Sequence, residues 1–359
     1  MLIYYLLLIY IVFLYSVFLN KKVLYNKKYF LFCAFFAIAL IVGLRGVSTG
    51  EDTHHYLEVF DLVSKASWKT VLTSIGGFQI SIWGERVEYL FALLNKIISI
   101  FTNDGQIMLL IVSLLTMHLF ARFIYRNISD HVFMSTFVFL CNGLFMASFN
   151  GIREMLAIAI IINAYDYIKN KNYRTTTIIA IIAFFVHMSS IVMIPFFVVF
   201  TKVKNYKKGI RYMTLICMLL LVAIPVIPQL VIYLFPKYSA YVTEHFWDNS
   251  YRGVVVMWVL EIALVVYMYV HKIKNDMEFF GIIGVIMYIT LAIISIKLWA
   301  FSRLMTYFEP FAMIVFGCGA ERFNSSSKKV YYVVIAAIML LEYVSYAMVP
   351  TRSYSFFWI

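Results

Sequence analysis

The sequence predicts an all-α fold. It is a polytopic membrane helical bundle of about ten spans, with a re-entrant helical hairpin and an interfacial helix on the outer face. Three observations predict it. Hydrophobic residues make up 63% of the 359 residues and charged residues only 13%, where soluble domains are roughly half apolar and a quarter charged. Apolar runs of about 18 residues or more recur from end to end, each enough to cross a hydrocarbon core of ~30 Å as a helix. These runs do not alternate apolar and polar residues, as the strands of a membrane barrel would.

The formal charge of +12 implies no nucleic acid partner here. Lys and Arg sit mostly in short loops, where they report orientation in the lipid bilayer. The first span, 2–19, lacks a basic leader and a small-residue cleavage site, so it reads as retained. Lys21, Lys22, Lys27 and Lys28 behind it belong inside, which puts the start of the span outside. The second span covers 29–44 and exits at Arg45 into a long outer loop. Residues 87–101 are apolar but short and carry Glu88, Asn95 and Lys96. As a full span they would send Arg122 and Arg126 outside, so an interfacial helix is preferred. Spans at 106–124, 131–149 and 152–168 follow.

The stretch 175–200 lies between two basic loops, and two full spans need about 40 residues. A re-entrant hairpin with its tip near His187 satisfies both ends. Irregular backbone is tolerated at membrane depth where it is buried or lines a cavity. A single span there would place Lys272, Lys274, Lys328 and Lys329 outside. The remaining spans are 210–233, 253–270, 277–296, 301–319 and 330–348. The whole chain reads as one integral membrane domain, with the outer loop and its interfacial helices over about 45–105. Cys33, Cys141, Cys217 and Cys318 each lie in an apolar run without C-x-x-C spacing, so they read as small buried hydrophobes.

This topology collects polar residues outside: Arg45, Glu51, Asp52, His54, His55, Glu85, Arg86, Glu88, Asn150, Arg153, Glu154, His245, Asp248, Arg252, Lys297 and Arg303. Outer loops normally hold few cations, so an anion to be held is one reason for the Arg residues. Asn150 suits the N-cap of a helix starting outside. Helix N-termini favour anions, and Arg153 in the first turn adds a bidentate phosphate donor. The alternative is an Arg that snorkels or pairs with Glu154. Asp52 follows closely on a span, where a carboxylate can accept a proton from a hydroxyl nucleophile. Its neighbours Glu51, His54 and His55 match no strong metal signature, and a solvated loop is the plainer alternative. His187 sits mid-membrane, where ionisable groups are costly and usually line functional cavities. Arg303 and Tyr307 stand one turn apart on one face of a span, where Arg303 either contacts an anion or snorkels.

Five segments in order resemble the EpsG family of Wzy-like polysaccharide polymerases. They are LRGVSTGEDTHHY (Leu44–Tyr56), VEYLFALLNKI (Val87–Ile97), FNGIREMLAIAI (Phe149–Ile160), IAFFVHMSSIVMIP (Ile182–Pro195) and SRLMTYF (Ser302–Phe308). Glu154 stands where the family usually has Gln. The resemblance implies joining of polyprenyl-diphosphate-linked oligosaccharide units outside the bacterial cytoplasmic membrane, for capsule, exopolysaccharide or O-antigen. No cofactor and no metal are expected. A flippase and a chain-length regulator would be the protein partners. On this reading Asp52 is the general base, Arg45, Arg153 and Arg303 hold the diphosphate, and His187 orients phosphate or sugar. Glu51, Tyr56, Glu88, Asn150 and Tyr307 line the substrate. A retaining route would need a nucleophilic carboxylate, for which Glu51 or Glu88 is available. A lipid-linked oligosaccharide flippase, another lipid-sugar glycosyltransferase and a glycan ligase are the rival functions.

Overall fold

A computed structural model describes residues 2–19, 25–80, 86–203, 205–234, 251–298, 300–348 and 353–358. Glu85, His245 and Asp248 lie outside the described residues, as does the side chain of Arg252. The chain is a polytopic helical membrane protein. It falls into two compact units, residues 1–191 with 344–359, and residues 192–343.

In the first unit α1 (Leu2–Leu14) continues through a π-helical turn, Tyr15–Leu19. Next come α2 (Lys27–Gly43), α3 (Thr53–Lys65), α4 (Trp68–Thr73), strands β1 (Phe78–Gln79) and β2 (Arg86–Val87), and α5 (Tyr89–Ile98). The two strands pair antiparallel, with Phe78 opposite Val87. Then follow α6 (Gly105–Asn127), α7 (Val132–Cys141), α8 (Leu144–Asn150), α9 (Ile152–Ile162), α10 (Tyr165–Ile168) and α11 (Tyr173–Val186). Helix α5 rises only about 15 Å over its ten residues, half of a hydrocarbon core. Helix α6, at 23 residues, is long enough to cross by itself. Helix α7 with the turn before it, and α8, are bent by 48° at Gly143, whose φ is 91°.

Helices α2 and α6 pack along their lengths in opposite directions, pinned at both ends. At one end Gln106 Nε2 donates to the Gly43 carbonyl at 2.5 Å, and at the other Lys27 meets Asp130 at 2.7 Å. The Asp130 end is the basic end of the unit. There the buried Asp166 carboxylate gathers Arg126 at 2.9 Å, Arg122 at 3.3 Å and Lys169 at 3.7 Å. Asn163 bonds the Ala159 and Leu119 carbonyls at 2.7 and 3.0 Å, and also accepts from Arg122. The apolar run 152–168 is divided there into α9 and α10.

The second unit holds α12 (Met193–Lys202), α13 (Tyr206–Val222), α14 (Ile227–Leu234), α15 (Tyr251–Val270), α16 (Asp276–Ser295), α17 (Ala300–Thr306), α18 (Phe311–Gly319) and most of α19 (Ser325–Ala347), up to Tyr343. Helix α16 is its buried centre. A Cβ on Gly281 or Gly284 would come within 2.7 Å of Ile314 or 2.1 Å of Phe311, so these glycines let α18 approach closely. Phe196, Phe280, Phe308 and Phe311 form an aromatic knot around it. At one end Arg322 pairs with Glu278 at 2.5 Å and donates to the His271 and Lys272 carbonyls. On α13, Leu219 and Val222 are 69% and 77% exposed, an apolar face that lipid covers and water would not.

The apolar run 301–319 is not one continuous helix. It stops at Thr306 and resumes at Phe311, because Pro310 cannot donate inside a helix. Arg303 is consequently exposed while Tyr307, in the turn, is buried, so the two do not share the face that helical spacing suggested. The run 175–200 is broken where the sequence places its tip. His187 ends α11 with an extended backbone, and a 3-10 turn, Met188–Val192, follows.

Candidate functional site

Opposite the basic end, the first unit brings together residues from five separate segments. The loop after α2 is the first. Arg45 is fully buried. Its Nε donates to Thr53 Oγ1 at 2.8 Å and one terminal nitrogen donates to the Val42 carbonyl at 2.6 Å. Its other terminal nitrogen is buried without a partner. Burial pushes the Arg45 guanidinium down to about 10, with Tyr56 and Tyr354 partly opposing that. The loop is fixed from outside by residues 353–358. Gly46 N–H donates to the Ser355 carbonyl at 2.7 Å and Phe357 N–H to the Leu44 carbonyl at 3.1 Å. Ser355 N–H donates to Thr49 Oγ1 at 2.9 Å, and Tyr354 Oη to the Ile41 carbonyl at 2.9 Å. Arg45 faces Phe356 in an antiparallel bridge.

The loop then turns at Gly50, whose φ is 84°. A Cβ there would sit 2.6 Å from the Phe149 carbonyl oxygen, so no larger residue fits without displacing backbone. This close approach settles the role of Asn150. It is the last residue of α8 rather than the N-cap of α9, and its Oδ1 accepts the Glu51 N–H at 2.9 Å. Gly151 occupies the cap position and offers no side-chain bond. Glu51 is exposed. Asp52 is half-buried at the start of α3 and makes no cap bond. His54 pairs with Glu58 one turn on, at 3.3 Å. Tyr56 is buried against Phe91.

Glu88 is the hub. It precedes α5 with extended backbone, φ −60° and ψ 145°, which aims its side chain away from the helix it starts. One oxygen, Oε2, accepts from a terminal nitrogen of Arg153 at 2.7 Å. The other, Oε1, lies 2.7 Å from His187 Nδ1 and 3.4 Å from the Met188 N–H. The Arg153 guanidinium also lies 5.7 Å from the Tyr56 ring centre, a cation–π distance. Burial alone would raise the Glu88 carboxyl. The His187 hydrogen bond and the charge of Arg153 outweigh it and hold Glu88 down at about 2. Arg153 is thus paired with Glu88, a partner 65 positions away, as well as standing in the first turn beside Glu154.

Three of the expected site residues, Glu88, Arg153 and His187, meet directly, with Tyr56 beside them. Asn150, Glu51 and Asp52 lie on the adjoining turn, and Arg45 is folded beneath it. Arg303 and Tyr307 belong to the second unit. Sequence reasoning missed the hub role of Glu88 and the contribution of residues 353–358. A carboxylate heading an amphipathic helix was the available signal for the first. Among the described residues no group of three His, Cys, Asp or Glu side chains is placed to hold a metal ion.

A helical membrane bundle with a charged, hydrogen-bonded network at the end away from its basic loops defines an integral membrane protein with a buried polar site. The EpsG family model matches residues 28–358, and the chain belongs to that family. Over 179 residues it is 26% identical to the amylovoran biosynthesis protein AmsC of Erwinia amylovora. That match covers 49% of this chain and 45% of the relative, so less than half of the relative's length is spanned. No solved structure matches the chain.

Proposed function

We propose that this protein is a glycosyltransferase that joins polyprenyl-diphosphate-linked oligosaccharide units into an exopolysaccharide. It would work on the outer side of the bacterial cytoplasmic membrane, because the basic end of the first unit belongs inside. One observation carries the reading. Glu88 holds Arg153 and His187 together, at 2.7 Å each, at the end away from the basic loops. Membership of the EpsG family and the likeness to a protein of amylovoran biosynthesis support it.

Glycosyl transfer requires that a hydroxyl lose a proton, that a cation-like transition state be held, and that a departing diphosphate be stabilised. Arg153 serves the last need, with Arg45 folded beneath the adjoining turn. One well-placed donor at developing negative charge is worth roughly 3 kcal/mol. Asn150, Glu51 and Tyr56 line the sugars. Asp52 and His187 are the two groups suited to the acceptor proton. The donor carries its own leaving group, the diphosphate. A flippase to deliver the units and a chain-length regulator are the partners this chemistry calls for.

The test is to supply the purified full chain, in lipid nanodiscs, with lipid-linked oligosaccharide extracted from the source cells. A ladder of lengthening products is expected. A single transfer to an unrelated acceptor would make it a ligase. Movement of the lipid between leaflets without new bonds would make it a transporter.

A further inference from the structure

The His187 tautomer is set by its neighbour. Glu88 is ionised, and an ionised carboxylate can only accept hydrogen bonds. In the 2.7 Å contact the hydrogen therefore lies on His187 Nδ1. In the neutral ring Nε2 is then left with a bare lone pair. Nε2 is buried and has no hydrogen-bond partner among the described residues. Two more buried polar atoms nearby share that state: Ser190 Oγ, whose own N–H bonds the His187 carbonyl at 3.1 Å, and Arg153 Nε. Nine in ten or more buried polar groups are satisfied in native proteins, so orphans on the two Glu88 partners, His187 and Arg153, and on Ser190 in the turn after His187 mark where the polar groups of a ligand dock.

The same geometry bears on the other acids. Both Glu88 oxygens are engaged, by Arg153 and by His187 with Met188, which leaves that carboxylate poorly placed to attack a sugar. The Asp52 side chain makes no hydrogen bond or ion pair that would orient it among the described residues. His187 is oriented, and its free nitrogen faces away from the carboxylate that fixes it.

Resting on the polymerase reading above, we propose that His187 Nε2 is the base that takes the proton of the acceptor hydroxyl, and that Glu88 is its positioning residue. The hydroxyl O–H bond breaks and the proton passes to Nε2. The oxygen lone pair forms the new bond to the anomeric carbon. The bond from that carbon to the diphosphate breaks, and its electron pair leaves with the diphosphate, beside Arg153. The imidazolium so formed keeps its Nδ1–H on the Glu88 carboxylate, which meets the new charge. One displacement inverts the anomeric centre.

The test uses the full chain in nanodiscs, with single turnovers of the extracted lipid-linked oligosaccharide. His187→Asn keeps a donor near the Nδ1 position and removes Nε2. It is expected to lose at least about 100-fold in rate while binding the donor lipid within about threefold of wild type. His187→Ala opens room for added imidazole, which should restore part of the rate. Glu88→Gln should lower kcat by more than it raises KM. Turnover by His187→Asn within threefold of wild type, or a loss confined to Asp52→Asn, would overturn the assignment. A wild-type chain that makes no ladder at all would overturn the polymerase reading itself, which the His187 result alone would leave standing.

Discussion

Replacing Glu88 with glutamine removes a charge that two neighbours depend on. Glu88 is held from an ordinary 4.5 down to about 2, which corresponds to about 3 kcal/mol of folding free energy at 1.36 kcal/mol per pH unit. Its side chain is only 20% exposed, so solvent screening trims this little. Breaking a buried pair by removing one partner costs about 3–5 kcal/mol, and the amide oxygen retains one acceptor, so about 2–3 kcal/mol is expected at neutral pH. The assay is thermal unfolding of the purified chain followed by tryptophan fluorescence, with a melting temperature lower by roughly 3–4 °C. The pH dependence has a definite sign. A carboxyl whose folded value is depressed stabilises above its unfolded value, near 4.5, and loses that contribution as pH falls toward 2. The gap between wild type and Glu88→Gln should therefore be full at pH 6 and shrink below pH 4.5. The double variant with Arg153→Gln should be less destabilised than the sum of the singles by about 1–2 kcal/mol. Equal melting temperatures at pH 6, or additive singles, would refute the network.

Four further outcomes are expected. Deleting residues 353–359 removes the bonds on Leu44, Gly46 and Thr49, each worth about 1 kcal/mol net; amide exchange in residues 44–50 should accelerate, measured by mass spectrometry. Gly50→Ala forces a Cβ against the Phe149 carbonyl at a positive φ, and should lower stability by about 1–3 kcal/mol in the same melting assay. Arg153→Lys keeps the charge but loses the planar fork, so product chains made in cells should fall about tenfold or more. Asp166→Asn leaves three cations crowded at the basic end; it should lower the melting temperature while the turnover rate per folded molecule stays the same.

The bundle was legible because solvent choice is written in composition. Runs such as 106–124 admit little but a helix, and α6 spans Gly105–Asn127. The breaks were less legible. Pro310 signalled one, yet Asn163 divides a run through bonds to carbonyls on two helices, which spacing along one helix does not reveal. At the site, the sequence named Glu88, Arg153 and His187 singly. Their pairing spans 65 and 99 positions, and no local rule couples residues so far apart. Asn150 was read as a cap because caps are local. Its actual partner, the Glu51 N–H, lies 99 positions away and depends on the Gly50 turn. Arg45 was named from its place at a helix end, but its complete burial was not legible there. Residues 353–358, which lie over its loop, gave no warning in their own composition.

The most direct test is a cryo-EM structure of the full chain bound to the extracted lipid-linked oligosaccharide. The diphosphate is expected within hydrogen-bond distance of Arg153, and a sugar hydroxyl or its water within reach of His187 Nε2. A diphosphate seated at the opposite end, beside Arg122 and Arg126, or a His187 ring turned away from Glu88, would contradict it.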